Sequence, residues 1–397
     1  MKPLSSKVAK AEASQTLALT ALAKQLRAEG KDVVSLTAGE PDFPTPAHIK
    51  RAAVNAIEAN YTKYTVNAGI PELRKAVAAK FQHDNNLTFE PSQILVSNGA
   101  KHSIFNTLAA ICNKGDEVII PAPYWVSYPE MVKLVDAKPI IINTTEKNDF
   151  KMTPAQLRRA ITKKTKALIL CSPSNPTGSV YAREEIEELA RILHKADVYV
   201  IADEIYEKVI YDGMEHFSIG SIPEMKDLAI TVNGVSKAYS MTGWRIGYLG
   251  AAKEITSAAE KVQSQTTSNA SSISQYAALA ALTGPNDEVT AMTKEFCRRR
   301  EYIYNAVTSI EGITCVKPKG AFYLFPNVSA YFGKKFNGDT IKSADDFAKF
   351  LIKEEQVVTV PGDGFGAKNC IRMSYACSMQ ELEKAAERLC RGLKKLN

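Results

Sequence analysis

Short apolar runs alternate along most of this chain with longer segments of helical period, and that alternation leaves few folds open. Ile94-Leu95-Val96, Glu117-Val118-Ile119-Ile120, Pro139-Ile140-Ile141-Ile142 and Ala167-Leu168-Ile169-Leu170 are strand-length runs of β-branched and apolar residues. Val198-Tyr199-Val200-Ile201, Leu228-Ala229-Ile230-Thr231-Val232 and Arg245-Ile246-Gly247-Tyr248-Leu249 continue the series. Helix-length segments lie between several of them. From Arg183 to Lys195, for example, Ile186, Leu189, Ala190 and Leu193 fall on one face. Strands that are apolar throughout are buried on both faces, so the pattern predicts an α/β domain with a mostly parallel sheet between two layers of helices.

Past about residue 290 the texture changes. A charged helical pattern from Lys294 to Ser309 leads into a strand-like Ala321-Phe322-Tyr323-Leu324-Phe325, and Leu382, Ala386, Leu389 and Leu393 form one helical stripe near the end. These features predict a large domain over residues 47–290 and a smaller α+β domain made of 1–46, as an N-terminal arm, with 291–397. A chain of 397 residues is long enough for both cores.

Composition narrows the function classes. The net charge of +7 arises from 50 basic residues interspersed with 43 acidic ones, without a basic block, which argues for a solvated surface and against nucleic-acid binding. Seven scattered cysteines form no Cys-x-x-Cys pair and no cluster of zinc spacing, so no metal site is expected and the thiols read as reduced. The N-terminus lacks the apolar core of a signal peptide, and no apolar stretch reaches the roughly 20 residues that a membrane helix needs. The expectation is a cytoplasmic protein without a membrane partner.

The densest pattern is Asn233-Gly234-Val235-Ser236-Lys237-Ala238-Tyr239-Ser240-Met241-Thr242-Gly243-Trp244-Arg245-Ile246-Gly247. A lysine amine can form a Schiff base with an aldehyde cofactor. Small neighbours let the backbone approach a phosphate, and Ser236 and Arg245 can supply donors to it. Asn98, Trp125, Asn175, Asp203 and Lys237 all fall close to the ends of the apolar runs. Ligands of open α/β sheets bind there, outside the carboxyl ends of the strands.

Taken singly, these residues have plainer readings. Asp203 after a strand can cap a helix or, if buried, needs a positive partner. Asn175-Pro176-Thr177-Gly178 is a turn signal as well as a source of donors. Trp125 can stack on a ring or simply fill a core. Arg372, in the strand-like Cys370-Ile371-Arg372-Met373-Ser374-Tyr375, can clamp a carboxylate ligand or pair with an acidic side chain. Asn98-Gly99-Ala100-Lys101 precedes a helical run from His102 to Ile111, and helix starts bind anions.

Together the blocks are more specific. The Lys237 run resembles the cofactor attachment site of class I aminotransferases, the fold-type-I pyridoxal-phosphate family that includes aspartate aminotransferase. Further blocks follow in the family's order: Ala38-Gly39-Glu40-Pro41-Asp42-Phe43, Lys63-Tyr64, Gly69-Ile70-Pro71-Glu72-Leu73-Arg74 and Asn98-Gly99-Ala100-Lys101. Pro123-Tyr124-Trp125-Val126-Ser127-Tyr128-Pro129, Ser172-Pro173-Ser174-Asn175-Pro176-Thr177-Gly178, Asp203-Glu204-Ile205-Tyr206, Gly320-Ala321-Phe322-Tyr323 and Arg372-Met373-Ser374-Tyr375 complete the set.

The resemblance implies pyridoxal 5'-phosphate as cofactor, with Lys237 as its attachment point and catalytic base. Asp203 would face the ring nitrogen, Tyr206 and Asn175 the ring oxygen, and Trp125 the ring face. Gly99, Ala100, Ser236 and Arg245 would hold the phosphate, joined by Tyr64 from the other subunit of a homodimer. Arg372 would clamp the substrate α-carboxylate beside Gly39, with Trp125 and Asn175 close to the substrate.

Lys101 sits in a first helical turn, where a cation opposes the macrodipole and invites an anion. In the animal and enteric aspartate enzymes a partner arginine binds the distal carboxylate. Here Gln263-Ser264-Gln265-Thr266-Thr267-Ser268-Asn269 is uncharged and no arginine occurs between Arg245 and Arg298. The chain instead resembles the bacterial Ib branch, where a lysine at the Lys101 position takes that role. The implied reaction moves the amino group of L-aspartate to 2-oxoglutarate, giving oxaloacetate and L-glutamate.

Some relatives in that branch aminate prephenate and carry a basic residue where this chain has Glu12, an acid that would disfavour a dicarboxylate. Aromatic or alanine-type donors, and an elimination like that of aminocyclopropane-carboxylate synthase, share the framework. A pyridoxal-binding transcription regulator would need a DNA-binding domain, for which the pattern leaves no room.

Overall fold

The structure, a computed structural model, describes residues 2, 5–10, 12 and 15–396. Its centre is a seven-stranded sheet of β1 (Ile94–Ser97), β2 (Glu117–Ala122), β3 (Lys138–Asn143), β4 (Thr165–Cys171), β5 (Tyr199–Asp203), β6 (Ala229–Gly234) and β7 (Gly247–Gly250). They lie in the order β1-β7-β6-β5-β4-β2-β3. Every neighbouring pair is parallel except the two that involve β7, which runs against both β1 and β6.

The central runs are buried on both faces because successive side chains alternate across the sheet, whereas the expected buried run Pro139-Ile140-Ile141-Ile142 forms the edge strand β3, where Ile142 is buried but Ile141 is 38% exposed. Val118, Ile120, Ala167, Ile169 and Ile201 point to one face, where they pack with Ile104, Leu108, Met131, Val132, Ile255 and Ala259 from three helices. Ile119, Leu168, Leu170, Val200 and Ala202 point to the other, against Ile186, Leu189, Ala190 and Leu193 of the helix Arg183–Ala196. The expected α/β architecture is therefore present, with all seven apolar runs in one sheet.

The reversed β7 is the departure from a uniform βα alternation. Arg245 stands outside this strand, in a left-handed conformation with φ of 59°, so the expected strand Arg245–Leu249 starts two residues late at Gly247. Because β7 is antiparallel, its first residue pairs with Ser97 and Gly234, the last residues of β1 and β6. Reversal thus brings Arg245 to the same edge as the strand ends that carry the other candidate residues.

The C-terminal part builds a separate core. Phe296, Ile303 and Val307 from the helix Asp287–Thr308 pack with Leu382, Leu389 and Leu393 from the helix Met379–Leu393, and with Val34 and Leu36. Val289 and Met292, earlier on the same long helix, pack instead with Leu73, Val77 and Tyr248. A three-stranded antiparallel sheet, β9-β10-β8, comprises β8 (Tyr323–Leu324), β9 (Val360–Pro361) and β10 (Ile371–Ser374). The expected strand Ala321–Phe325 shrinks to two residues because Ala321 takes a φ of 55°, which breaks the extended run. The long helix starts earlier than expected, at Asp287, with Asp287 and Glu288 complementing its positive end.

Candidate active site

A cavity of about 380 Å³ opens at the carboxyl edge of the large sheet. Gly39, Ala100, Lys101, Trp125, Asn175, Asp203, Tyr206, Ser236, Lys237, Arg245 and Arg372 all line it, together with Glu40 and Tyr323. Trp125, Asn175, Asp203, Tyr206, Ser236, Lys237 and Arg245 come from strand ends of the large sheet or the loops that adjoin them; Ala100 and Lys101 open the helix that follows β1, Arg372 lies on β10 of the small sheet, and Gly39 lies on the N-terminal segment. Gly99 sits directly beneath, and Tyr64 lies outside this cavity.

Lys237 follows β6 by three residues, on the turn that leads to β7. Its amine donates to the carbonyl of Gly39, and the ring of Tyr206 lies 5.7 Å away. Burial disfavours the charged amine, and Arg372 and Arg245 add to that effect, while Glu40 and Asp203 oppose it. The balance lowers the Lys237 pKa to about 8. About a tenth of the amine is therefore neutral at pH 7, far more than for a solvated lysine, which favours its use as a nucleophile.

Asp203 is the last residue of β5 and is 3% exposed. It caps no helix; a turn follows, and its Oδ1 accepts only a 3.3 Å bond from the Ile205 N–H. Its Oδ2 accepts a 2.6 Å bond from the Tyr128 hydroxyl. Burial raises the Asp203 pKa, against the pull of that hydrogen bond, the Ile205 N–H and the Lys237 charge. A cationic group delivered into the cavity would complete the site of this carboxylate.

Asn175 is oriented by Arg372: its Oδ1 accepts from Nη1 at 3.1 Å, which leaves its Nδ2 to donate elsewhere. The Tyr206 hydroxyl shares a 2.8 Å bond with that of Tyr323. With Tyr323 as donor in that pair, Tyr206 also has a proton to offer the cavity. Trp125 is half-buried, its ring edge-on to Tyr128 at 5.4 Å between centroids.

The helix Ala100–Ile111 begins at Gly99, which has a φ of 86° and no side chain closing the helix start. First-turn N–H groups are thereby left for an outside acceptor. A Cβ on Gly99 would collide with the Arg245 guanidinium, and one on Gly247 with the backbone of Gly99 and Ala100. Glycine at both places is what lets these three pieces of chain converge. Arg245 donates to the carbonyls of Thr242 at 2.9 Å and Asn98 at 3.2 Å, not to a carboxylate.

Arg372 settles one of the alternatives left open by sequence. It is 1% exposed, and its partners are Asn175 and the Thr37 carbonyl at 2.8 Å, with Nε unbonded among the described residues. Its guanidinium also lies 4.6 Å from the Tyr323 ring centroid. Among the described residues no carboxylate pairs with it, so the internal salt bridge is not formed there. Burial accordingly lowers its pKa. Among the described residues Lys101 likewise has no carboxylate partner; its amine lies 4.7 Å from the Trp125 ring, and partial desolvation and Arg245 lower its pKa. A Cβ on Gly39 would meet only the Tyr323 hydroxyl, at 3.5 Å, so protein packing does not demand a glycine there.

Several residues had no assigned role from sequence. Tyr128 and Tyr323 lie inside the quoted blocks, but their bonds to Asp203 and Tyr206 span 75 and 117 residues, beyond any local pattern. Glu40 lines the cavity and accepts a 2.6 Å bond from Thr242. Thr16 also lines it, and its hydroxyl is buried without a hydrogen-bond partner among the described residues. Glu12 does not line the cavity; its N–H donates to Glu130 at 2.9 Å, and its neighbours Ala11, Ala13 and Ser14 lie outside the described residues. Gln263, which opens the uncharged polar run, is wholly buried and bonds Ser97, Asn106 and the carbonyls of Asn67 and Val96.

The cavity thus joins a partly neutral lysine to three cations that have no carboxylate partner among the described residues, on an α/β sheet edge. Such a site is built for a small ligand that carries several anionic groups. The model of class I and II aminotransferases matches residues 31–389. The chain is 49% identical over 382 residues to the aspartate aminotransferase of Bacillus sp. (strain YM-2), covering 96% of each chain. It is 44% identical over 390 residues to the aspartate/prephenate aminotransferase of Nitrosomonas europaea, covering 97% of this chain and 98% of the other. The crystal structure of the aspartate aminotransferase from Rhizobium meliloti is similar with a TM-score of 0.97 and 42% identity, covering 100% of both chains. The chain belongs to the class I and II aminotransferases and is an enzyme of that family. Among the described residues, no helix is long and apolar enough to cross a membrane.

Proposed function

We propose that this chain is a pyridoxal-phosphate-dependent aspartate aminotransferase that transfers the amino group of L-aspartate to 2-oxoglutarate. The observation that carries the reading is the set of unneutralised cations. Arg245 beside an open helix start suits a phosphate, while Arg372 and Lys101 suit two carboxylates on one substrate.

The residues fit the cofactor. Lys237 would hold its aldehyde carbon, Asp203 its ring nitrogen, and Asn175 and Tyr206 its ring oxygen, with Trp125 against the ring. Gly99, Ala100, Ser236 and Arg245 would hold its phosphate. Pyridoxal 5'-phosphate, when bound, supplies a carbonyl that condenses with amines and a protonated ring that withdraws electrons.

This chain's own groups do the rest. Arg372 takes the substrate α-carboxylate through its free donors, beside the unobstructed Gly39, and Lys101 takes the distal carboxylate. Two fixed points orient the Cα–H bond toward the Lys237 amine, which removes the proton from Cα. Positioning of this kind supplies much of a rate enhancement. The arm and small domain, 1–46 with 291–397, would close over the cavity and exclude water.

Tyr64 is 91% exposed and stands with Val54, Ile57, Tyr61 and Val66 among the exposed large hydrophobic residues. These exposed apolar side chains, clustered in sequence between residues 54 and 66, support a homodimer in which Tyr64 of the partner subunit reaches the phosphate. Cytoplasmic location is part of the same proposal.

Prephenate with aspartate or glutamate is the second reading, favoured by the name of the Nitrosomonas relative. Glu12 does not line the cavity, and an acid would disfavour aspartate and prephenate alike, so it does not separate the two readings.

The test is the visible absorption of the purified protein, first with aspartate and then with 2-oxoglutarate. A band that bleaches with aspartate and returns with 2-oxoglutarate is expected. A band unmoved by aspartate would discard that substrate, and absence of a band after incubation with the cofactor would discard the cofactor.

A further inference from the structure

Asp203 is a buried carboxylate with very few donors. Its Oδ2 is met by the Tyr128 hydroxyl at 2.6 Å, while Oδ1 has only the long 3.3 Å bond from the Ile205 N–H. Both side chains are nearly inaccessible, Asp203 at 3% and Tyr128 at 2%. Among the described residues, Tyr128 is the one donor hydrogen-bonded to Oδ2.

Tyr128 itself is held rigidly. It lies at the start of the helix Ser127–Leu134, and its N–H donates to the Trp125 carbonyl at 3.0 Å. The ring packs edge-on to Trp125 and joins the core formed with Ile169, Ile201 and Val232. The hydroxyl is thus presented at one fixed point, and burial beside Asp203 keeps its proton in place.

We propose that Tyr128 is a positioning residue for the electron-withdrawing end of the active site. Its hydroxyl fixes Oδ2 of Asp203 and keeps that carboxylate ionised, leaving Oδ1 as the acceptor for the protonated ring nitrogen of the cofactor. This inference rests on the cofactor assignment made above. Its physical basis is that a buried carboxylate stripped of its charge-assisted donor drifts toward the neutral acid. A neutral Asp203 would already carry a proton and could no longer balance a ring cation. The bland alternative is that Tyr128 only fills the core, in which case its oxygen is dispensable.

Tyr128→Phe separates the two, because it keeps the ring and removes only the oxygen. The apoprotein of this variant should bind pyridoxal 5'-phosphate about ten- to a hundredfold more weakly than wild type, as expected for loss of a hydrogen bond to a charged group. The reconstituted enzyme should lose kcat by about tenfold or more, with KM for aspartate within about twofold. In an Asp203→Asn background the same change should add nothing further. Wild-type affinity and kcat in a folded Tyr128→Phe protein, or an additive loss in that background, would overturn the proposal.

Should Tyr128→Phe not fold, 3-fluorotyrosine at position 128 retains size and hydroxyl while strengthening the donor. Tighter cofactor binding then supports the inference, and unchanged or weaker binding overturns it. Wild-type protein that binds no cofactor would instead refute the site assignment, a result distinct from failure of the Tyr128 role.

Discussion

Replacing Lys101 by Met asks whether this enzyme reads a second carboxylate. Lys101 stands in the first turn of the helix Ala100–Ile111, where its charge opposes the helix dipole, and Arg245 is a further like charge nearby. Among the described residues, its amine is held over the Trp125 ring at 4.7 Å. Methionine keeps a stem of similar length over that ring and deletes the ammonium alone.

A hydrogen bond to a charged group contributes about 1.5–3 kcal/mol. Lys101 remains reachable by solvent, so screening places its contribution at the lower end, about 1.5–2 kcal/mol, or about 10–30-fold in kcat/KM. The loss should fall on aspartate. A monocarboxylate donor such as alanine should change by less than about threefold, since it has no distal anion to lose. Steady-state kinetics with both donors at fixed 2-oxo acid measure the ratio. Equal losses for the two would refute the reasoning and leave Lys101 without a role in reading the substrate.

Two further outcomes follow from the charge environment. The Lys237 amine must be neutral to attack an aldehyde, and its pKa is lowered to about 8, chiefly by burial. Cofactor uptake by the apoprotein should therefore accelerate as pH rises toward about 8 and level off above it; a rate still climbing in proportion above pH 9 would contradict this environment. Lys80 pairs with Glu207 at side-chain exposures of 7% and 6% and donates to Asn85 at 2.6 Å, so Lys80→Met should destabilise the fold by about 3–5 kcal/mol at pH 7. Burial pushes the Glu207 pKa up, but Lys80 and His216 outweigh it and leave the pKa lowered, so this stabilisation is present above the unfolded carboxylate pKa and lost as pH falls through the folded one. Urea midpoints should accordingly show a smaller deficit near pH 4 than at pH 7; an equal deficit at both would mean the ion pair is not its source.

How far the sequence reveals this site depends on the distance over which each fact is determined. The strands were legible because an apolar β-branched run declares itself within a few residues. Ile119 and Ile120 are on opposite faces of one strand, and both are buried. Strand direction is not local. The run Ile246–Leu249 looks like its neighbours, and only the turn from Lys237 to Arg245 makes β7 antiparallel. That reversal is what delivers Arg245 to Gly99, so the least legible element of the sheet completes its anion site.

The same limit applies to charge. Nothing in the residues around Arg372 distinguishes an internal ion pair from a ligand clamp. The decision rests on Asn175, 197 residues away in sequence, taking the place where a carboxylate would have stood. Gln263 shows the converse, because a residue in a polar run became a buried tie among four backbone and side-chain groups. Sequence blocks identify which residues gather at the sheet edge. Which charges are left unneutralised there is fixed by contacts between distant segments, and it is those charges that define the ligand.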